Sequence, residues 1–266
     1  MSIHEEKGNN SILFEREELI MNETINIIKD HRSIRDFKSK EIEDNILKEI
    51  IIAAQSMPNS INGQQTSIII IKDQDKRNKI AEYAGGQPWI KQAPVFLLFI
   101  ADFYKTDIAS KKNNLEQIIH ESVEGTLVGS VDVGLNMGAA IIAAESLDLG
   151  IVPIGGIRNA PQKIIELFDL PKHTFPIAGL SIGYPKSKPK KKPRLPLKTF
   201  SHNETYKSDK IIEEIDAYDT LMEEYYKEID RENSSNWSKR TSSIYKSVYF
   251  PKVHPIMKKQ GFKNNK

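Results

Sequence analysis

Hydrophobic residues recur at helical spacing in two segments of the first half of the chain. The sequence from Glu43 to Ser56 places apolar side chains three and four residues apart, which predicts an amphipathic helix. Pro58 predicts that a loop, MPNSINGQQ, follows this helix. The more charged run QDKRNKIAEYA predicts a second helix, which ends at Gly85 and Gly86, where glycine suits the left-handed helix cap.

Four continuous apolar runs predict β-strands. The first two read as strands buried on both faces, because uninterrupted apolar runs are typical of such strands. The runs are TSIIIIKD (66–73), VFLLFIADF (95–103), IVPIGG (151–156) and FPIAGLSIGYP (175–185).

Helical patterns separate these strands. Residues 113–149 are largely helical in pattern, and their small residues allow a ligand or another helix to approach closely. After IVPIGG we predict a helix that is capped by Asn159 and has Pro161 near its first turn. Helices that alternate with four strands indicate an α/β or α+β layered domain over residues 21–185.

The composition changes at both ends of this domain. KSKPKKKPRLPLK (186–198) predicts an extended linker, because proline fixes φ and lacks an N–H donor. A long helix over 209–230 and an aromatic-rich tail follow, and they have little room for a core of their own. We therefore expect residues 186–266 to wrap a second copy of the chain. Residues 1–20 are predicted to be a disordered extension, or Met21 is the true start.

Composition narrows the classes of function. The chain has 266 residues and a net charge of +2, so no overall field points to nucleic acid or an anionic membrane. It has no cysteine, which excludes thiolate metal sites and thiol nucleophiles, so a bound cofactor must carry any redox chemistry. No uninterrupted apolar run reaches the roughly 18 residues of a membrane span, and no signal peptide is recognised, so we expect a cytoplasmic protein.

Several loops carry an unusual density of polar donors. HRSIRDF (31–37) offers guanidinium groups, a hydroxyl and an imidazole, which suit a phosphate or carboxylate, although a solvated basic turn explains the same residues. PNSINGQQ, GGQPW, PIGGIRN and KPRLP add amides, a glycine turn and three cations. Together they suit a ligand with a phosphate tail and a planar head.

These segments, in this order, resemble the FMN-dependent nitroreductase superfamily, and most closely its group A nitroreductase and NADPH–flavin oxidoreductase branch. APVFLLFIADF and AAESLDLG belong to the same resemblance, which covers residues 22–262. It implies an α+β homodimer, built as a three-layer sandwich around a mainly antiparallel sheet. It also implies FMN at the subunit interface and a C-terminal extension that embraces the partner.

The resemblance implies roles for particular residues. No side chain is expected to be catalytic, because N5 of the flavin carries the chemistry. Arg158 is implied as a contact for the phosphate of NADPH, whereas an ion pair with a nearby carboxylate is its structural alternative. The implied FMN-binding residues are His31, Arg32, Ser33, Arg35, Asn59, Ser60, Gln87, Pro153, Ile154, Gly155, Gly156, Lys192 and Arg194.

The implied activity is an NADPH-dependent flavin reductase or nitroreductase that passes hydride through bound FMN to flavins, nitroaromatics or quinones by a ping-pong mechanism. A flavin-binding protein without turnover is one alternative. A nucleic-acid binder that uses the lysines of 186–198 is another, but those lysines crowd one proline-rich stretch. His120, Glu121 and Glu124 have helical spacing, which indicates a solvated helix more readily than a metal site.

Overall fold

A computed structural model describes residues 22–266, so the predicted extension 1–20 and the alternative start at Met21 lie outside the described residues. Four strands form one sheet: β1 (Thr66–Ile71), β2 (Val95–Asp102), β3 (Gly150–Ile154) and β4 (Thr174–Gly183). The helices that precede β3 are α1 (Glu23–Lys29), α2 (Asp44–Gln55), α3 (Gln74–Tyr83), α4 (Pro88–Gln92), α5 (Tyr104–Lys112) and α6 (Val123–Ser146). Those that follow β3 are α7 (Pro161–Leu167), α8 (Leu197–Phe200), α9 (Ile211–Glu228), α10 (Trp237–Tyr245) and α11 (Val253–Lys259).

The sheet has the strand order β1-β2-β4-β3, and every neighbouring pair is antiparallel. All residues of the central strand β2 are buried, as its continuous apolar run predicts. β1 was expected to be covered on both faces, and this is wrong for the single chain. It is an edge strand whose Ile70 is 45% exposed.

Helices cover both faces of the sheet and give the predicted three-layer α+β sandwich. On one face, α3, α4 and α7 contribute Ile80, Ile90 and Ile164 to a core that includes alternate residues of β2. On the other face, α2 and α6 pack against the remaining residues of β2. Because side chains alternate across a strand, the two cores share β2 without sharing its side chains.

The 24-residue helix α6 is N-capped by Ser122, whose side chain accepts a hydrogen bond from the backbone N–H of Gly125. Among the described helices, α6 alone is long and apolar enough to span a membrane, which corrects the expectation that no segment would be. It packs instead against α2 and the sheet. Its other side exposes Leu127, Val131 and Leu135, which form an apolar stripe along the helix.

The C-terminal extension has a small core, which its sequence had not indicated. Tyr218, Met222, Tyr225 and Tyr226 of α9 are buried together, and Trp237 packs edge-on to Tyr218 with ring centroids 5.9 Å apart. The expectation that this region lacks a core is therefore wrong for α9. Other large side chains of the extension remain exposed, namely Leu197, Phe200, Tyr206, Ile212, Tyr245 and Val248.

Two local predictions are also corrected. Ala160, and not Asn159, occupies the N-cap position of α7, because the Asn159 amide donates to the carbonyl oxygen of Tyr83 at 3.2 Å. His120 does not lie on a solvated surface: it is buried, and its ring centroid lies 3.9 Å from that of His173. The residues after α11, which return to the core, cover these rings.

Candidate functional site

The HRSIRDF segment is fastened to the sheet by its backbone. The N–H of Ile34 donates to the carbonyl oxygen of Ile151 in β3 at 2.8 Å, and Phe37 forms a bridge with Pro185. This approach requires Gly150, because a Cβ there would lie 2.6 Å from the Ile34 side chain. The segment therefore runs beside β3 and the end of β4.

The polar side chains of this segment diverge. His31 Nδ1 lies 2.8 Å from Oε1 of Glu145. Arg32 pairs with Asp30 and lines a cavity of about 600 Å³ beside α1 and the end of α6. Ser33 is partly exposed between them. Arg35 takes another direction and places its guanidinium 5.4 Å from the centroid of the Trp89 ring.

A chain of contacts joins Arg35 to the glycine turn that follows β3. Trp89, stacked under Arg35, donates its indole N–H to Gln87 Oε1 at 3.0 Å. Gln87 Nε2 donates to the carbonyl oxygen of Ala84 at 3.0 Å, and a Cβ on Gly156 would lie only 2.3 Å from that nitrogen. The predicted loops HRSIRDF, GGQPW and PIGGIRN therefore meet here, and Gly156 is required at the point of closest approach.

The predicted cations Lys192 and Arg194 reach the same region through the linker. Tyr218 and Tyr225 of α9 hold the linker, because their hydroxyls donate to the carbonyl oxygens of Pro193 (2.9 Å) and Lys190 (3.2 Å). Although Lys192 is exposed, partial desolvation lowers the pKa of its ammonium group. Four neighbouring cations lower it further, in the order Arg240, Arg35, Arg194 and Arg231.

Burial lowers the pKa of Arg35 as well, and the positive charge of Arg231 adds to this effect. Within residues 22–266, no ion pair involves Lys192 or any of the four cations around it. Five like charges without a carboxylate among them favour a bound anion. We call Arg35, Lys192, Arg194, Arg231 and Arg240 the cation cluster.

The glycine turn itself consists of residues 153–156. Ile154 is buried at the end of β3, whereas Pro153 is exposed. The Arg158 guanidinium lies over the turn, 3.1 Å from where a Cβ of Gly155 would be. It donates to the carbonyl oxygen of Ile177 and stacks 5.5 Å from the ring centroid of Phe250. Arg158 therefore donates to a backbone carbonyl oxygen and does not form the ion pair with a carboxylate that was its structural alternative.

Asn59 and Ser60 lie elsewhere in the single chain. They precede the edge strand β1 and pack against α6, on the face opposite Gln87 and α4. β3, which leads into the glycine turn, is the other edge of the sheet, three strand spacings away or roughly 14 Å. One chain therefore does not bring Asn59 and Ser60 to the glycine turn.

Protein-family models match most of the chain. Residues 28–184 match the model described as the Nitroreductase family, and residues 192–265 match its C-terminal domain. The chain belongs to the nitroreductase family. The predicted family and the α+β fold are thereby confirmed.

Relatives cover nearly the whole of this nitroreductase chain. The FMN reductase [NAD(P)H] of Bacillus subtilis (strain 168) is 47% identical over 249 residues, which are 92% of this chain and 100% of that protein. The structure of B. megaterium NfrA2 matches at a TM-score of 0.90 and 46% identity, over 92% of this chain and 100% of that one. The NADPH:FMN oxidoreductase of Vibrio harveyi, complexed with NAD+, matches at 0.83 and 32% identity, with coverage of 92% and 100%.

Three residues of this candidate site, Trp89, Arg231 and Arg240, were not among the predicted site residues. Trp89 lies in a quoted loop, but nothing in the sequence pairs it with Arg35. Arg231 follows α9 by three residues and Arg240 lies within α10, and only the packing of α9 and α10 brings them to Lys192. The aromatic density of that region was the available signal, because those rings support the cations.

Proposed function

We propose that the chain is an NADPH-dependent FMN oxidoreductase, which passes electrons from NADPH to flavins, nitroaromatics or quinones. Family membership and the names of the relatives support an NAD(P)H-dependent oxidoreductase with FMN. When bound, FMN supplies the redox chemistry, since its ring can accept a hydride from NADPH and then pass electrons to an acceptor. One pocket serves donor and acceptor in turn, so ping-pong kinetics are expected.

The convergence of Arg35, Trp89, Gln87 and Gly156 beside the cation cluster carries this proposal. FMN has an anionic phosphate at one end and a flat ring at the other, and this arrangement suits both. The cation cluster has no carboxylate partner within residues 22–266, so a phosphate would relieve its mutual repulsion. The turn at Gly155 and Gly156 lacks side chains, so a ring can lie against its backbone.

Each group has a distinct task in this proposal. Arg35, Lys192 and Arg194 hold the phosphate, with His31 and Ser33 at the edge of the same segment. Gln87 and the turn from Pro153 to Gly156 orient the ring, and backbone N–H groups there can stabilise negative charge on the reduced ring. Arg158 lies over the turn and is placed to contact the phosphate of NADPH.

A second copy of the chain completes the site in this proposal. Asn59 and Ser60 lie on the wrong edge and face of the sheet to reach the glycine turn within one chain, so the partner supplies them. The exposed stripe of Leu127, Val131 and Leu135 suits a twofold contact between α6 helices. The exposed apolar residues of the extension, 186–266, suit an embrace of the partner. We also propose a cytoplasmic location for this dimer.

The two alternative functions receive less support from the contacts. Lys190 pairs with Glu228 and Lys198 pairs with Glu214, whereas Lys192 belongs to the cation cluster. The lysines of 186–198 therefore do not present one free basic face. A flavin-binding protein without turnover would hold the same phosphate. Such a protein would not need Arg158 over the glycine turn, because it would bind no NADPH.

The visible spectrum of the purified protein tests the proposal. We expect flavin absorption bands that bleach when NADPH is added without oxygen and recover when a quinone or nitroaromatic follows. Bands that persist after NADPH would favour flavin binding without turnover. A colourless protein that takes up no added FMN would overturn the proposal.

The Trp89 contact gives a narrower prediction. Trp89→Phe keeps an aromatic face for Arg35 but removes the N–H that holds Gln87. We expect the affinity for FMN to fall roughly fivefold, about the value of one hydrogen bond. Fluorescence titration of the apoprotein measures it. Trp89→Leu also removes the aromatic face under Arg35, so its affinity for FMN should be lower still. An equal loss of affinity in both variants would contradict the role of the indole N–H.

A further inference from the structure

A buried carboxylate lies in the middle of the apolar helix α6. Asp132 is 2% exposed, and it forms no ion pair within residues 22–266. Burial raises its pKa, an effect that the hydrogen bond from the backbone of Ser60 partly offsets. A carboxylate in such a place is costly unless its oxygen atoms are bonded.

The donors to Asp132 come from one loop, residues 59–65, which connects α2 to β1. Gln65 Nε2 donates to Oδ2 of Asp132 at 2.7 Å, and the backbone N–H of Ser60 lies 3.3 Å from Oδ1. Gln65 is itself buried, and its carbonyl oxygen accepts from the N–H of Asp102 at 2.9 Å. Asp132 therefore holds both ends of the 59–65 loop.

The loop that Asp132 holds has a strained backbone. Ile61, Asn62 and Gln64 have φ angles of 51°, 56° and 52°, in the left-handed region. This region is uncommon for residues other than glycine and a genuine outlier for a β-branched one. The Ile61 side chain is also 95% exposed. Strained conformations persist only where the surrounding structure determines them, and here Asp132 supplies the buried anchor.

A second buried polar residue of α6 provides a comparison. Asn136 lies one turn after Asp132, and its side-chain amide donates to the carbonyl oxygen of Ala54 at 2.6 Å. That bond fastens the end of α2 and does not reach residues 59–65. The two side chains therefore share a helix and a similar burial, but only Asp132 bonds the loop.

We propose that Asp132 is a positioning residue for the flavin site of the partner copy, because its carboxylate sets the shape in which the 59–65 loop presents Asn59 and Ser60. This inference rests on the proposed function, in which these two residues contact FMN bound by the other chain. Asp132 does not touch the cofactor. It acts through hydrogen bonds to Ser60 and Gln65.

Three variants test the inference by FMN titration of the apoproteins, together with thermal unfolding. Asp132→Leu keeps the branching of the side chain but removes both bonds, and we expect FMN to bind about 10- to 100-fold more weakly. Asp132→Asn can still accept the hydrogen bond from Ser60, and its NH2 group can donate to Gln65 Oε1 once the Gln65 amide rotates by 180°. Its affinity should therefore stay within about threefold of the wild type. Asn136→Leu should lower the melting temperature while its FMN affinity also stays within about threefold.

The outcomes separate this inference from the proposed function. If the wild type binds FMN and Asp132→Leu binds it equally well, the inference is wrong and the proposed function stands. Equal losses of FMN in Asp132→Leu and Asn136→Leu would also refute it, because a general loss of stability would then suffice. If the wild type binds no FMN, both proposals fail together.

Mixed dimers test whether Asp132 acts on the partner's site. We consider a dimer of one Arg35→Ala chain and one Asp132→Leu chain. If each site takes its cation cluster from one chain and its 59–65 loop from the other, one of the two sites combines an intact cluster with an intact loop. We expect about half of the wild-type flavin content in such dimers, isolated with two affinity tags, and less in either homodimer. No recovery in the mixed dimer would contradict the inference.

Discussion

Arg35→Ala should yield a folded protein that loses most of its FMN during purification. Arg35 is the member of the cation cluster that also stacks on Trp89, so its removal takes away both charge and contact. Hydrogen bonds to charged groups contribute about 1.5–3 kcal/mol, which corresponds to roughly 10- to 100-fold weaker binding. The flavin content per chain and an FMN titration of the apoprotein measure the effect.

Two further variants serve as controls for Arg35→Ala. Arg35→Lys keeps the charge but loses the planar fork, so it should retain FMN to an intermediate extent. Lys191→Ala removes an exposed cation one residue from Lys192 and should leave FMN binding unchanged. A full complement of flavin in Arg35→Ala would show that HRSIRDF does not hold the phosphate.

The double variant Leu127→Glu with Val131→Glu should be monomeric and free of FMN. Both side chains are more than half exposed in the single chain, at 56% and 59%, so the fold of each chain should tolerate the change. A twofold contact between α6 helices would meet four new carboxylates, whose desolvation opposes association. The sedimentation coefficient at micromolar protein concentration and the flavin content per chain should therefore both fall.

A matched substitution away from the stripe is the control. Ile108→Glu introduces the same charge on α5, where Ile108 is 50% exposed, and we expect it to leave the dimer and its flavin intact. A double variant that remains dimeric would place the subunit contact elsewhere. A monomer that keeps its FMN would contradict a site shared between two chains.

The strands were predictable because the sheet interior imposes long apolar runs. The run 95–103 corresponds to β2, buried along its whole length, and 175–185 corresponds to β4 within two residues. The run 66–73 predicted β1 equally well but not its exposure, because an apolar run does not reveal whether a strand is central or at an edge. That depends on strand order, which the run does not encode.

The candidate site was predictable in its parts. HRSIRDF, GGQPW and KPRLP each carry the residue types that a phosphate and a ring need, and their order pointed to the family. Arg231, Arg240 and Trp89 were not among the predicted site residues, because they approach Lys192 or Arg35, which are distant along the chain. The burial of His120 was not predicted for the same reason, since His173 and the C-terminal residues, which cover it, are distant along the chain.

The sequence by itself determined the strands, the four longest helices, the glycine turn and the absence of a thiol, because these follow from local pattern and composition. Only the tertiary structure decided that four other cations surround Lys192, and that Asp132 holds the loop of Asn59 and Ser60. It also separated that loop from the glycine turn by the width of the sheet. The physical reason is that charge, burial and hydrogen bonding depend on distances in space, which residues far apart in the chain acquire only when the sheet and its two helical layers form.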